Sequence, residues 1–205
     1  MKRSLDNLVL AHGTHDSAVD GLCAMEAVAW LAGEPHSATP VCACPVLSAY
    51  VRVLNDAVPD SERQALKAFL PRLVGSRNPA LEAARSKILA WSAATEFAPM
   101  SLEAAGLTDS AATLRGLALY DWSGAEKAAV FADSAAYAAC AAYAANAANA
   151  DDAARSAARS AARSAAYAAN AAARPDVWPS ALAALDRALT LALNNEEETY
   201  VVREI

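Results

Sequence analysis

AAVFADSAAYAACAAYAANAANADDAARSAARSAARSAAYAANAAA, residues 128–173, is more than half alanine and sets its other side chains at regular intervals. Alanine loses no side-chain entropy in a helix and has the highest helix propensity of any residue. The tract therefore predicts helix, and with it an all-α chain. Tyr137, Cys140, Tyr143, Asn146 and Asn149 stand three apart, whereas Arg155, Arg159, Arg163 and Tyr167 stand four apart. Neither spacing equals 3.6, so each stripe drifts around its helix.

As one straight rod of 46 residues the tract would extend roughly 69 Å at 1.5 Å per residue. A compact chain of this length spans only about 40 to 45 Å. The polar cluster from Asn146 to Asp152 offers a break, with Asn suited to a left-handed C-cap and Asp151 or Asp152 to an N-cap. The expectation is a multi-helix bundle with a long Ala-rich helical hairpin. Its alanines let neighbouring backbones approach closely but bury little apolar area per residue. They need support from bulkier helices.

Those helices are legible on either side. Val19, Leu22, Cys23, Met25, Val28 and Leu31 recur at helical spacing over Ser17–Ala32, and Gly33 can supply a left-handed cap. Prolines at 35, 40 and 45 make the next stretch a loop, and Pro45 suits the first turn of a second helix that runs to Pro59. Asp60 starts a third, kinked at Pro71 and ended by Gly75. Asn78 and Pro79 start a fourth, with Leu81, Ala84, Ile88, Leu89 and Trp91 along one face. Short helices follow at about 101–106 and 109–120. A last helix after Pro179 carries Leu182, Leu185, Leu189 and Leu193, and the tail EEETYVVREI reads as a short strand or disordered. The division implied is 1–122, an N-terminal helical domain, and 123–205, the Ala-rich hairpin with the C-terminal helix packed on it.

Seventeen Lys and Arg against 23 Asp and Glu give a net charge of −6. That surplus of acid argues against broad nucleic-acid binding. The N-terminal apolar run is interrupted by Asp6 and Asn7, no long apolar stretch exists, and the alanine tract carries Asp, Asn and Arg. These features predict a cytoplasmic chain with neither signal peptide nor membrane span. Four cysteines in such a chain read as thiols.

Residues 12–44 hold all three histidines, His12, His15 and His36, with Cys23, Cys42 and Cys44. Imidazole and thiolate are preferred zinc ligands, so His15, Cys23, His36, Cys42 and Cys44 form a candidate metal set, although the spacing matches no known finger. The competing reading makes Cys23 a small core residue and lets the histidines cap turns. A third makes Cys23 a nucleophile at a helix start, with His15 or His36 as base. Glu26, three residues after Cys23, is either a buried acceptor for the loop or part of such a site.

Arg155, Arg159 and Arg163 stand about 6 Å apart along one helix flank. Like charges at this spacing repel by a few tenths of a kcal/mol. They are either solvated and internally paired, through Asp151 or the acidic residues Glu196, Glu197 and Glu198, or a docking strip for an acidic protein or a phosphate-bearing ligand.

CAMEAVAWLAGEPHS at 23–37, followed by CACPVL at 42–47, LNDAVP at 54–59 and LPRLVGSR at 70–77, resembles the N-terminal part of a group of bacterial and phage proteins that continue into Ala-rich repeats. The resemblance implies a phage or mobile-element accessory role and brings no catalytic residue with it. Taken together, the residues predict a non-enzymatic helical interaction protein that binds itself, as a homo-oligomer, or a protein partner. The alternative is a zinc- or thiol-dependent enzyme built on residues 12–44.

Overall fold

The structure, a computed structural model, describes residues 5, 7–118, 151–172 and 177–191. The first part of the alanine tract, the expected hairpin turn at 146–150 and the acidic tail lie outside the described residues. Within them the fold is all-α, and the one β-type pairing is an isolated parallel bridge between Leu10 and Leu22. Among the described residues no helix is long and apolar enough to cross a membrane.

Helix α1 covers Ala24–Ala32, shorter than the Ser17 start that apolar spacing suggested. Two local facts stop it. Gly21 sits at φ +130, and a Cβ there would come within 3.0 Å of the His15 ring, so only glycine fits. Glu26 then folds back to accept the Cys23 amide at 2.8 Å, closing a capping box that makes Cys23 the N-cap. Val19, expected on the buried stripe, is 95% exposed. The C-terminal end follows the sequence, with Gly33 in the left-handed conformation.

Helix α2, Pro45–Ala57, opens on Pro45 as its sequence suggested and is the central element. The third predicted helix is broken into α3, Asp60–Arg63, a 3₁₀ segment, Gln64–Phe69, and α4, Leu70–Leu73, with Pro71 in the first turn of α4. Arg63 is buried and ties this corner together, donating to the carbonyls of Asn55 at 2.7 Å and Val58 at 3.0 Å and pairing with Asp60. Those carbonyls belong to the end of α2, where a helix leaves acceptors unsatisfied.

Asn78 caps α5, Pro79–Ser92, through the amide of Ala80. The helix continues through a π turn, Ala93–Phe97, into α6, Ala98–Ala104, so the expected helix near 101 begins earlier. Helix α7 spans Thr108–Arg115. Helix α8, Asp151–Ala172, is the later half of the alanine tract, and α9, Val177–Thr190, takes Pro179 within its first turn.

Helix α8 packs along α2 and also against α5 and α6. Ala157, Ala158, Ala161, Ala162, Ala165 and Ala168 are fully buried in that contact, and Ser164 joins them. Their residues belong to the same hydrophobic cluster as Val46, Leu47, Tyr50, Leu89, Phe97 and Leu185. Polar stitches hold α9 to this body. The Tyr50 hydroxyl donates to Ala181 O at 3.0 Å, buried Arg85 donates to Ala188 O, and Arg187 pairs with Glu96.

Candidate functional site

Glu26 is the centre of the His/Cys region. The residue is 1% exposed, yet its carboxylate accepts from the His15 amide and the Cys23 amide, each at 2.8 Å, and from His15 Nδ1 at 2.8 Å. Burial acts to raise its carboxyl, but the two amides and the imidazole outweigh it and hold the group below the usual carboxylate value. His36 donates from Nε2 to the His15 carbonyl at 2.8 Å and lies 3.7 Å from Glu26. The carboxylate therefore organises the loop ahead of α1.

Cys23 lies against this carboxylate with its thiol pushed up to about 11, first by burial and then by the nearby Glu26 charge. A nucleophilic cysteine needs the opposite shift. Cys42 belongs to a separate knot, where Glu34 accepts from the amides of Val41 at 2.7 Å and Cys42 at 2.8 Å. Burial and Glu34 raise the Cys42 thiol as well. Cys44 is fully buried at the N-cap of α2, its amide donating to Ser76 Oγ at 2.9 Å. His12 is exposed. The five residues of the expected zinc set thus divide between two hydrogen-bonded knots and a helix cap. Among the described residues no three His, Cys, Asp or Glu side chains converge as metal ligands.

The arginines of the tract do converge, and with partners that their own spacing could not reveal. Arg155, Arg159 and Arg163 on α8 line a groove of about 620 Å³ together with Arg52 of α2 and Arg77 of the loop before α5. The rest of the lining is mostly apolar, made of Pro40, Val41, Ala43, Pro45, Ala49 and Val53, while Thr39, Ser48 and Asp56 supply the remaining polar groups. Among the described lining residues five guanidiniums face one carboxylate, Asp56, in a chain whose net charge is −6.

The wiring around the groove fixes several of these groups. The Arg77 amide donates to the Cys42 carbonyl at 3.1 Å, which sets that loop beside the start of α2. Asp56 is engaged by the Gly13 amide at 2.9 Å and by Asn55 at 3.0 Å. Arg155 pairs with Asp152 on its own helix, a surface i,i+3 contact of small energy. Among the described residues no carboxylate pairs with Arg52, Arg77 or Arg159, all three exposed. Arg52 is the one charge in the helical run PVLSAYVRVL, a signal that the sequence held but that only the packing of α8 on α2 makes legible.

Comparison with protein-family models, with curated proteins and with solved structures gives no match. The groove is therefore read by its own chemistry.

Proposed function

We propose that this chain is a non-enzymatic binding protein whose working surface is the arginine groove between α2 and α8, and that its partner is polyanionic. The observation that carries this reading is the gathering of five arginines from three separate segments onto one concavity. Guanidinium groups offer paired donors that match carboxylate and phosphate oxygens bidentately. Arg52, Arg77 and Arg159, which no described carboxylate pairs, repel one another, and an anion in the groove relieves that repulsion. The alanine face of α8 is already covered by the chain's own helices, so the edge of α8 left for a partner is its arginine edge.

The test is equilibrium binding by calorimetry with pyrophosphate and with a hexaglutamate peptide, comparing the full chain with the pair Arg52→Ala and Arg159→Ala. Binding of at least one polyanion, weakened about tenfold or more in the double variant, is expected for the loss of two charge-assisted contacts. Equal affinity in both proteins, or no binding of either probe, overturns the proposal.

A further inference from the structure

The groove contains a group that its own structure leaves unused. Ser48, in the first turn of α2, lines it, is 5% exposed, and its Oγ is the buried side-chain polar atom without a hydrogen-bond partner among the described residues. A buried hydroxyl normally finds one, and a helical serine has the carbonyl four residues back within reach. Ser92 and Thr95 use that option, donating to Ile88 O and Trp91 O, whereas the Ser48 hydroxyl makes no such bond and Cys44 O takes only the Ser48 amide, at 2.9 Å. The same turn starts without a side-chain cap, its N-cap being Cys44 and its first residue Pro45. A hydroxyl lacking an acceptor, the first residue of an uncapped helix and several guanidiniums therefore line one cavity. All three favour the same kind of occupant, a compact group rich in acceptor oxygens.

Resting on the reading of the groove as an anion site, we infer that its occupant is a small phosphorylated organic molecule, and that Ser48 with the first turn of α2 forms the subsite for one phosphoryl group. A phosphoryl group presents three acceptor oxygens in a tetrahedron and can take the hydroxyl and two guanidiniums together, whereas a planar carboxylate presents two. The volume of about 620 Å³ falls within the range of small-molecule sites. The wall formed by Pro40, Val41, Pro45 and Val53 offers apolar surface to the ligand's carbon body. A single-stranded nucleic acid would call for aromatic stacking platforms, and among the described residues the lining holds no Phe, Tyr or Trp.

The experiment compares pyrophosphate with tricarballylate, a carboxylate of similar charge, on the wild type, on Ser48→Ala and on the pair Arg52→Ala and Arg159→Ala. Ser48→Ala removes a hydroxyl that bonds nothing among the described residues, so melting without ligand should be unchanged or slightly raised. Pyrophosphate affinity should fall about tenfold, the loss expected for one hydrogen bond to a charged group, and tricarballylate affinity should stay put. A drop in ligand-free melting would mark Ser48 as merely structural and overturn the subsite. Equal affinity for the two anions, or tighter binding of hexaglutamate than of pyrophosphate, unaffected by Ser48→Ala yet abolished in the arginine pair, overturns the phosphoryl inference while the anion groove stands. No binding by any probe removes both.

Discussion

Glu26 shows what one buried side chain does for the start of this fold. Three donors from two segments meet its oxygens, so the loop around His15 and the start of α1 are held by a single charge. Because the folded-state carboxyl lies below its ordinary value, the carboxylate stabilises the fold at pH above the ordinary carboxylate range. That contribution is lost as acid protonates it in the folded state. Glu26→Gln should cost about 1 to 3 kcal/mol near neutral pH, the scale of a charge-assisted bond lost and a buried donor left short. It should also flatten the fall in stability on acidification. Urea unfolding at neutral and acidic pH checks both, and a variant with an unchanged acid limb would show that Glu26 is not the titrating group. The spacing of Cys23 and Glu26 was readable, and so was the option of a loop acceptor. What the sequence could not supply was His15 reaching back across eleven residues, because that contact depends on the turn at Gly21.

At the scale of elements, alanine makes the helix easy to recognise and its role hard to guess. The AARS quartets advance about 40° beyond a full turn at each repeat, so Arg155 and Arg163 differ by about 80° around the axis. Arg155 is accordingly half-buried while Arg159 and Arg163 are exposed. Between them the paired alanines form the contact with α2, and even Ser160 and Ser164 are drawn inside. Such a face tolerates no added volume. Ala161→Leu, at a position with no exposed area, should destabilise by about 1 to 3 kcal/mol through overpacking, read as a lower denaturation midpoint with an unchanged slope. Substitution at exposed Arg159 should leave the midpoint nearly where it is, and an equal loss at both positions would mean that α8 is not packed by its alanine face. Periodicity located α2 and α5 well because their apolar stripes are strong and proline marks their starts. It misjudged α1 because Val19 fell in register with the stripe by coincidence, beyond a glycine whose backbone no helix could continue.

The whole molecule places a local positive surplus inside a negative surround. At physiological salt charges are screened over about 8 Å, so the groove's arginines feel one another and an occupant more strongly than they feel acids on distant faces. Two opposite trends in thermal stability follow. Without ligand, raising salt from low ionic strength should raise the melting temperature by relieving repulsion among Arg52, Arg77 and Arg159, and Arg52→Ala with Arg159→Ala should show a weaker salt response. With a polyanion at a hundred times its dissociation constant, the folded state gains about 2.7 kcal/mol, which for a chain of this size raises the midpoint by roughly 5 to 10 °C. Added salt should then erode that gain, because it weakens the same contacts. Scanning fluorimetry across a salt series, with and without pyrophosphate, separates these cases. Should salt instead lower the ligand-free melting temperature while the arginine pair is unaffected, those guanidiniums would be stabilising ion partners within the fold. The groove's charge would then have its counterpart inside the molecule, and no anion would be needed to complete it.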